Sequence, residues 1–548
     1  MPCFPFKSTC LQVAFPLMVA ACSASFSIMF MASSNSRRTM DYMGWEVTKI
    51  MQQQKQEKVL SASVPKTPLN ILILFPDDWR HDSLQDVQQS LPNGNTIFTP
   101  FLSELAKDGI RFTHNAVTTS ICWISRATLF TGQYVSRHKA ESLSCPTFAF
   151  PEYWKDLWVA RLQKDAGYFV GHVGKWQYHN SRRFFQSEFK WTSLHEGYHW
   201  QPPGPHFANQ QHLFSNYTER RGKKNEKLPA ADLSKEDALY FLRHARPKDS
   251  PFALTIAFYP PKPVGESREP GGQWDPTQHY KKLYEKVTFH RPYNVTQAYE
   301  ALPPNLFRMS ENRFYQRWKT DEQFQESMRN YNALITNVDD ASREIVQELK
   351  RQGLYESTLI IFTCDNGMML GNHGLAGKWH PFEESIRVPL IIHDPRIPPE
   401  KRGTLEDRFT LNVDLAETIL GAAGLKPSPH MQGRDIADLY LGRVSESHPW
   451  REDFYYEFPL ADILTSSSLV TKKYKYVRYE KRNNNGAIEQ VFDLEHDPYE
   501  LNDLMNSTTT QTQVDVLTQL KQRYEELKAV SINNDGIDIA KCVKGENP

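Results

Sequence analysis

The chain has 548 residues, with 64 basic and 64 acidic side chains, and its mean hydropathy is −0.58. This length allows two domains with a sizeable core. The charge balance argues against a nucleic-acid-binding protein driven by bulk electrostatics, and the low hydropathy predicts a soluble body.

The N-terminal segment is apolar between Leu11 and Ala32, after a single Lys7. We expect residues 1–32 to form a secretory signal peptide, with an uncleaved signal anchor as the alternative. Residues 33–66 are polar and rich in glutamine, which predicts a linker. The chain would then follow the secretory pathway and be secreted, displayed at the cell surface or lysosomal. It would contact a membrane only through an uncleaved anchor.

Two apolar segments far apart in the chain predict strands that are buried on both faces. The first, over residues 69–75, is followed by Asp77 and Asp78, and the second is followed by Asp365 and Asn366. In open α/β sheets, ligands bind beyond the carboxyl ends of the strands. If these ends meet, their oxygen atoms predict a site for Ca²⁺ or Mg²⁺. Either pair alone would more often belong to a loop or a cap.

A cysteine with a nearby arginine occurs in the segment from Cys122 to Arg126. Ser125 can cap the apolar stretch that follows it. We therefore expect Cys122 to lie just before a helix N-terminus, where backbone N–H groups favour an anion. An isolated buried cysteine usually acts as a small hydrophobic residue, but the arginine and the strand-end acids favour a functional role.

Helices and strands alternate through the body of the chain. Thr99–Pro100 predicts one helix start, and apolar residues at helical spacing predict a helix over 324–349 that leads into a strand over 358–363. A capping-box pattern at Asp414 predicts a third helix. This alternation predicts an α/β fold over residues 67–440, with a mostly parallel central sheet flanked by helices.

The pattern changes after residue 440, where short segments predict antiparallel strands. These segments cover about residues 454–458, 468–471, 474–479 and 489–494. A final helix is predicted over about 512–530. We therefore expect a smaller C-terminal α+β subdomain with a short antiparallel sheet at 441–535, and a tail at 536–548.

Several stretches of the chain together resemble the type I sulfatases of the alkaline phosphatase superfamily, and among these the carbohydrate and polysaccharide sulfatases. They are Asn70 to Asp78, Thr99 to Gly132, Gly171 to Lys175, Asp365 to Pro389, Tyr474 to Tyr479 and Phe492 to Leu501. The resemblance implies an alkaline-phosphatase-like fold and hydrolysis of a sulfate ester. We expect this ester to lie on a carbohydrate or a glycosaminoglycan-like polysaccharide.

In such enzymes a formylglycine-generating enzyme oxidises one cysteine to Cα-formylglycine, whose gem-diol attacks the sulfur of the ester. Cys122 resembles that cysteine. A single Ca²⁺ acts as Lewis acid. The resemblance implies that the calcium ligands are Asp77, Asp78, Cys122, Asp365 and Asn366. It also implies that Arg126 steadies the gem-diol, while Lys175 and Lys378 hold sulfate oxygens.

Three positions depart from the family pattern. Ile124 stands where the family usually has Pro or Ala, which bears on recognition by the modifying enzyme. Gln177 replaces a family histidine, and His179 is the candidate substitute. Lys262 falls nearest to a second family histidine; it could be a simple exposed lysine, or it could bind sulfate as a point charge. It could also donate a proton to the leaving oxygen if its pKa were brought nearer neutral.

Two alternatives remain beside a calcium-dependent sulfatase. One is a phosphoesterase of the same superfamily, and the other is a catalytically impaired sulfatase fold that binds sulfated glycans. The set of Cys122, Arg126 and Lys378 disfavours the phosphoesterase, because such enzymes use Ser or Thr with two zinc ions. Side chains that would suit a sulfated sugar are Trp79, Arg80, Arg182, Arg183, His199, Trp200, His373 and His380.

Overall fold

A computed structural model describes residues 68–532 except positions 92, 142–150, 179–187, 196–198, 202–227, 266–269, 294, 301, 304–305, 461–464, 482–485 and 507–510. The predicted signal segment, the linker, the tail and His179 lie outside the described residues. No helix within the described part is long and apolar enough to cross a membrane. Residues Pro65–Pro548 form one compact unit, so the domain boundary at residue 440 stays a prediction.

The strands belong to one large sheet, one four-stranded sheet and three short pairs. In chain order, the strands of the described residues are β1 (Asn70–Leu74), β2 (Ile110–Phe112), β3 (Asn115–Ala116), β4 (Phe169–Gly174), β5 (Trp191–Leu194), β6 (Trp200–Gln201), β7 (Leu228–Pro229), β8 (Phe252–Ala257), β9 (Thr358–Thr363), β10 (Met369–Leu370), β11 (Ala376–Gly377), β12 (Leu390–His393), β13 (Thr404–Glu406), β14 (Thr410–Leu411), β15 (Asp453–Phe458), β16 (Ser466–Thr471), β17 (Tyr474–Glu480) and β18 (Ala487–Asp493).

The large sheet has the strand order β13-β2-β12-β9-β1-β8-β4-β5. Only β12 is antiparallel to its neighbours, and the other adjacent pairs are parallel. The two buried strands predicted from the sequence, β1 and β9, lie side by side. The expectation of a mostly parallel central sheet is confirmed.

The helices flank this sheet and the smaller one. The α-helices of the described residues are α1 (Gln85–Ser90), α2 (Pro100–Asp108), α3 (Cys122–Thr131), α4 (Val135–His138), α5 (Pro151–Trp154), α6 (Trp158–Asp165), α7 (Ala230–Tyr240), α8 (Gln278–Tyr284), α9 (Val295–Glu300), α10 (Arg308–Arg317), α11 (Asp321–Arg351), α12 (Glu383–Ile386), α13 (Leu415–Ala422), α14 (Ala437–Tyr440) and α15 (Gln511–Ile532).

Strand β1 illustrates why helices cover both faces of the large sheet. Leu72 and Leu74 pack in one apolar cluster with residues of α2, α7 and α11. Ile71 and Ile73 pack in a second cluster with residues of α3, α6 and α13. Because successive strand residues alternate between faces, the uninterrupted apolar run of β1 requires a helical layer on each side.

The four-stranded antiparallel sheet has the order β15-β16-β17-β18, which confirms the expected C-terminal sheet. Helix α15 packs on it through Leu520 and Tyr524, and the hydroxyl groups of Tyr524 and Ser467 share a hydrogen bond of 2.7 Å. Ile121 and Ile124 belong to the same apolar cluster. The small sheet therefore shares its core with the segment that carries Cys122.

The capping box predicted at Asp414 is wrong. A 3₁₀ turn at Asn412–Asp414 precedes α13, so Asp414 already has helical backbone angles and its side chain does not cap that helix. Its carboxylate accepts hydrogen bonds from the backbone N–H of Leu411 at 2.8 Å and of Arg434 at 2.9 Å, and it pairs with Arg451. The Asp414 side chain, which the local pattern had assigned to a helix cap, is therefore used by Leu411, Arg434 and Arg451 instead.

Candidate active site

Four neighbouring parallel strands bring charged loops to one edge of the large sheet. Their order is β9-β1-β8-β4. Leu74, at the end of β1, is in register with Phe362 and Ile256, and Gly174, at the end of β4, is in register with Ala257. The loops that follow these strands carry, in the same order, Asp365 with Asn366, Asp77 with Asp78, Lys262, and Lys175. The two strand ends predicted to meet therefore do so, and two further ends join them.

The acidic side of the site consists of Asp77, Asp78, Asp365 and Asn366, all of which are buried. Asp78 has a φ of 62°, a conformation that non-glycine residues rarely adopt and that concentrates at functional sites. Its backbone N–H donates to Asp365 Oδ1 at 3.3 Å, and its carboxylate accepts from Asn366 Nδ2 at 2.6 Å. These two hydrogen bonds join the loop after β1 to the loop after β9.

The same residues fit a hard divalent cation. Asn366 Oδ1 is buried without a hydrogen-bond partner among the described residues, and such an atom costs free energy unless a ligand meets it. One ligand atom each from Asp77, Cys122 and Asp365 lie within 4.8 Å of one another. Carboxylate and amide oxygens are the donors that Ca²⁺ and Mg²⁺ prefer.

Cys122 is the first residue of α3 and does not precede the helix. The N-cap is Ile121, and Ser125 lies within the first turn, where its Oγ accepts a hydrogen bond from Asn412 Nδ2 at 2.9 Å. The cap predicted at Ser125 is therefore wrong, because the helix begins three residues earlier. The positive end of the helix dipole still lies at Cys122.

The thiol of Cys122 lies among two lysines and one acid. Its Sγ is 2.7 Å from Lys378 Nζ, 3.1 Å from Lys262 Nζ and 3.5 Å from Asp77 Oδ1. Only 1% of Cys122 is exposed. Two ammonium groups and a helix N-terminus at one buried position can stabilise negative charge that develops there during a reaction.

Arg126 lies one helical turn after Cys122 and holds the acids in place. Its guanidinium donates to Asp365 Oδ2 from Nε at 3.0 Å and from Nη2 at 2.7 Å, and it pairs with Asp77 Oδ2 at 3.3 Å. Burial alone would lower the pKa of Arg126, but the two carboxylates raise it above its usual value. The side chain therefore remains charged and fixes the orientation of both acids.

Three lysines complete the charge balance around the acids. Lys175 pairs with Asp77, Lys378 pairs with Asp78, and Lys262 Nζ lies 3.3 Å from Asp77 Oδ1. Burial alone would raise the pKa of Asp77, but the surrounding cations hold it well below its usual value. Burial alone would lower the pKa of Lys262, but the two carboxylates raise it well above its usual value. Lys262 is thus an ammonium at neutral pH, and its pKa is not shifted toward neutrality.

A cavity of about 360 Å³ adjoins this cluster. Its lining includes Cys122, Lys262 and Lys378 together with the aromatic residues Trp123 and Trp379. The volume lies near the lower end of the range for small-ligand pockets, about 300–1,000 Å³. The cavity therefore gives a small substrate access to the position of the thiol.

Several side chains that the sequence suggested for substrate contact lie elsewhere. Trp79 is buried in the core beneath the sheet edge, and His380 is buried against Ser310. Arg80 and His373 line a second cavity of about 860 Å³. Outside the described residues and side chains lie His179, Arg182, Arg183 and the side chain of Trp200.

His199 supports Lys262 and does not line the cavity. Its Nδ1 accepts a hydrogen bond from the backbone N–H of Asp275 at 3.1 Å, so Nε2 carries the proton and donates to the carbonyl of Lys262 at 2.7 Å. Burial lowers the pKa of His199 to about 4. The ring is therefore neutral at physiological pH, as this pair of hydrogen bonds requires.

Two further residues hold the loops of the site, although no sequence motif had indicated them. The hydroxyl of Tyr331 donates to the carbonyl of Asp78 at 3.1 Å, and Cys364 Sγ accepts a hydrogen bond from the backbone N–H of Trp79 at 3.0 Å. Helical spacing placed Tyr331 in the core and could reveal no contact with a residue 253 positions away.

A sulfatase family model matches residues 69–425, more than half of the chain, and a model described as N-sulphoglucosamine sulphohydrolase, C-terminal, matches residues 371–530. The chain is 22% identical over 522 residues to an N-acetylglucosamine-6-O-sulfatase of Bacteroides thetaiotaomicron, covering 83% of this chain and 86% of the relative.

Two solved structures share this fold. A protein in complex with its substrate D-glucosamine-2-N,6-O-disulfate has a TM-score of 0.65 and 20% identity, covering 86% of this chain and 100% of the other. A phosphonate monoester hydrolase of Agrobacterium radiobacter has a TM-score of 0.63 and 22% identity, covering 84% and 96%. At these identities the likeness supports the fold assignment.

The chain belongs to the sulfatase family of the alkaline phosphatase superfamily, as its motifs predicted. It is a sulfuric ester hydrolase.

Proposed function

We propose that this chain hydrolyses a sulfate ester on a carbohydrate, with a formylglycine at position 122 and one bound Ca²⁺. The observation that carries the proposal is the placement of Lys262 and Lys378 at 3.1 Å and 2.7 Å from Cys122 Sγ, in contact with the acids that would hold the cation. A nucleophile at position 122 would thus meet its sulfate between fixed positive charges.

The metal-binding part of the proposal rests on Asp77, Asp78, Asp365 and Asn366. These residues would hold the cation, together with the side chain at position 122. The formylglycine supplies the nucleophile and the Ca²⁺ supplies a Lewis acid when both are present. The buried Asn366 Oδ1 without a hydrogen-bond partner among the described residues supports this ligand set.

The cationic side chains of the chain perform the remaining tasks. Lys378, Lys262 and Lys175 bind sulfate oxygens and offset the negative charge that grows on them in the transition state. Arg126 orients Asp77 and Asp365 and lies one turn from position 122. Lys262 acts as a fixed ammonium, because the nearby acids raise its pKa. A bound dication would offset part of that effect by neutralising the same acids.

The substrate class rests on relatives and on the cavity. The relative named above acts on N-acetylglucosamine 6-sulfate groups, as its name states, and the solved structure holds a sulfated glucosamine. The indole ring of Trp123 in the cavity lining provides an apolar face that suits a sugar ring. Sulfated hexosamines are therefore the first substrates to test.

The maturation route is part of the same proposal. The apolar stretch from Leu11 to Ala32 would direct the chain into the secretory pathway, where a formylglycine-generating enzyme would convert Cys122. Ile124 is buried in the finished fold, so the enzyme would have to read it in the unfolded chain. The chain would then be secreted, retained at the cell surface or delivered to lysosomes.

The decisive experiment is peptide mass spectrometry of Cys122 in protein made by its native secretory route. We expect a loss of about 18 Da, the difference between a thiol and an aldehyde side chain on the activated-nucleophile route. We also expect Cys122→Ala to abolish hydrolysis of 4-nitrophenyl sulfate and of a sulfated hexosamine while the far-ultraviolet circular dichroism stays unchanged. Unmodified cysteine in a folded but inactive protein would instead favour the impaired glycan binder. Phosphate ester hydrolysis without sulfate ester hydrolysis would favour the phosphoesterase.

A further inference from the structure

A second cavity, of about 860 Å³, is larger than the one beside Cys122, and the two share none of their described lining residues. Distant parts of the chain form it, over residues 80–97, 290–293, 370–384 and 496–501, together with two side chains of α11. The volume lies within the range for small-ligand pockets, about 300–1,000 Å³. The chemistry proposed at position 122 makes no use of this cavity.

Side-chain hydrogen bonds hold the walls of the second cavity together. Arg80, in the segment after β1, donates to Asn372 Oδ1 at 2.7 Å, and Asn372 donates to Glu384 Oε1 at 2.8 Å. Asn95 Oδ1 accepts a hydrogen bond from the backbone N–H of His290 at 2.8 Å. All five residues line the cavity. The walls are therefore fixed before a ligand arrives, and binding loses little entropy to their ordering.

Two residues with strained backbone lie at this cavity. His373 lines it with a φ of 56°, and Glu500, directly after the lining residue Tyr499, has a φ of 52°. Non-glycine residues rarely adopt this conformation, which concentrates at functional sites and ligand clamps. Glu500 accepts a hydrogen bond from the backbone N–H of Glu383 at 2.8 Å and pairs with the buried Lys475 at 2.7 Å. These bonds fix the backbone that carries Tyr499.

Two exposed tyrosines line the second cavity. Tyr293 is 70% exposed and Tyr499 is 56% exposed. The third exposed tyrosine of the described residues, Tyr315, lines neither cavity. Aromatic rings that stay in water on a fixed wall mark a surface that binds a partner, and the face of such a ring suits the C–H face of a sugar.

The charge of the lining differs from that of a sulfate site. Apart from histidines, its charged residues within the described part of the chain are the acids Asp82, Glu384 and Asp497 and the arginines Arg80 and Arg291. Arg80 Nε donates to Asp82 Oδ1 at 2.6 Å, so these two charges offset each other. A sulfate group would meet no excess of positive charge here, whereas sugar hydroxyl groups can both donate to carboxylates and accept from guanidinium groups. The lining therefore favours an uncharged sugar unit.

We propose that the second cavity binds an uncharged sugar unit of the substrate chain, with the rings of Tyr293 and Tyr499 against the sugar. The loops after β1 and β9 contribute to both cavities, through Asp78 and Met368 in the first and through Arg80 and Leu370 in the second. This inference rests on the proposed function and narrows the substrate class to chains of several sugar units that are sulfated only in part.

Calorimetric titration of the Cys122→Ala protein tests this site without turnover. The probes are two uncharged tetrasaccharides, one of β-1,4-linked N-acetylglucosamine and one of β-1,4-linked glucose. We expect at least one of them to bind with a Kd of about 1 mM or tighter. In the same background, Tyr293→Ala and Tyr499→Ala should each weaken binding by about fivefold, the scale of an aromatic contact.

Tyr315→Ala is the matched control, because it also removes an exposed ring, on α10, but outside both cavities. It should bind the tetrasaccharides as tightly as the Cys122→Ala parent. Binding of neither tetrasaccharide, or equal binding by the three tyrosine variants, would overturn the proposal.

Turnover tests whether the substrate chain uses the same site. The enzyme with formylglycine and calcium is assayed on the tetrasaccharide that binds, carrying one sulfate, and on its monosulfated monosaccharide. We expect kcat/KM to be higher for the tetrasaccharide by about fivefold, Tyr499→Ala to reduce this ratio to about one and Tyr315→Ala to keep it. An unchanged ratio in Tyr499→Ala would contradict the proposal. If the proposed function itself fails, the enzyme hydrolyses no sulfate ester, including 4-nitrophenyl sulfate, and the calorimetric result alone decides whether the cavity binds sugar.

Discussion

Asn366 contributes a side-chain oxygen that is buried and without a hydrogen-bond partner within the described residues. If this atom is a calcium ligand, Asn366→Ala should weaken Ca²⁺ binding by about tenfold or more, since a polar interaction with a charged group contributes about 1.5–3 kcal/mol. Activity should fall together with calcium occupancy and recover in part at high calcium. Calorimetric titration of metal-free protein and kcat at graded calcium concentrations measure both effects.

Asn372→Ala is the matched control for that prediction. Asn372 is also buried, but its amide bonds to Glu384 and its carbonyl oxygen accepts from Arg80. Its loss should leave calcium affinity unchanged. Wild-type calcium affinity in Asn366→Ala would remove this residue from the ligand set.

His199 acts on the site through the backbone of Lys262. His199→Leu removes the donor to the Lys262 carbonyl and the acceptor for the Asp275 N–H. Each hydrogen bond contributes about 1 kcal/mol net, so we expect kcat/KM for a sulfate ester to fall by about tenfold as Lys262 loses its fixed position. Calcium affinity should not change, because His199 contacts none of the acids.

His393→Leu controls for the loss of a buried imidazole. His393 is fully buried and bonds to the carbonyl of Asp108, away from the loops of the site. The substitution His393→Leu should lower the free energy of unfolding, and it should not change kcat/KM at a temperature where the variant is folded. Equal losses of kcat/KM in both variants would show that His199 has only a general structural role.

Whether a residue of the site could be predicted from the sequence depends on how far apart in the chain its contacts lie. Asp77, Asp78, Asp365 and Asn366 were predictable, because polar residues directly after buried strands mark a sheet edge. The contact of Tyr331 was not, because its hydroxyl bonds to the carbonyl of Asp78, a residue 253 positions away. The family resemblance predicted roles for the positions that match the family. It predicted no role with certainty at the positions where this chain departs from the family, such as Lys262.

At the scale of elements, helix α2 depends on a carboxylate from a distant helix. The backbone N–H groups of Phe101 and Leu102 donate to Asp339 of α11 at 3.0 Å and 2.9 Å. Asp339 is fully buried, and burial raises its pKa from 3.8 to about 7 despite these donors. The folded protein therefore binds a proton at Asp339 over a pH range in which the unfolded chain has released it.

The raised pKa of Asp339 predicts how the stability of the protein changes with pH. Because the folded pKa of Asp339 exceeds the unfolded value, the free energy of unfolding falls as pH rises from about 4 to 7. Between pH 5 and pH 8 the ionisation of Asp339 lowers the free energy of unfolding by about 3 kcal/mol. Asp339→Asn cannot ionise, so its urea midpoint should fall less over that interval than the wild-type midpoint. Asp340→Asn, a partly exposed neighbour, should follow the wild type, and a parallel loss in Asp339→Asn would contradict the assignment.

Element types were more predictable than the bonds at their ends. The apolar spacing over 324–349 anticipated α11, which runs from Asp321 to Arg351. The caps assigned to Ser125 and Asp414 were both wrong, because each side chain bonds to a residue that is distant in sequence or to an adjacent turn. Periodicity reflects which face is buried, whereas a cap depends on which partner competes for one polar group.

At the scale of the whole molecule, the C-terminal sheet shares an apolar core with the segment that carries Cys122. Tyr456 of β15 bonds to Ser120 at 2.6 Å, just before Cys122. The short strands predicted after residue 440 include the one observed as β15, which begins at Asp453. The sequence pattern could not indicate how the sheet packs against the rest of the protein, because that contact is made by buried side chains from both parts.

A buried link between the two parts is made by Lys475 of β17, which is fully buried. Its Nζ lies 2.7 Å from both Glu383 and Glu500 and donates to the carbonyl of Pro381 at 2.9 Å. Burial raises the pKa of Glu500 to about 8, although the charge of Lys475 opposes this effect. The loop held by these bonds begins directly after Lys378, so the small sheet positions a lysine of the site through one buried ammonium.

Lys475→Met should therefore affect both stability and turnover. Removing one partner of a buried ion pair leaves the Glu383 carboxylate uncompensated and costs about 3–5 kcal/mol, and the freed loop should lower kcat/KM for 4-nitrophenyl sulfate by about tenfold or more. Calcium affinity should stay near the wild-type value, because the acids of the site keep their contacts. Lys473→Met removes a half-exposed lysine that pairs with Glu495 at 3.7 Å and should change stability by less than about 1 kcal/mol. A Lys475→Met protein that is destabilised but retains wild-type kcat/KM at low temperature would confine Lys475 to a role in stability.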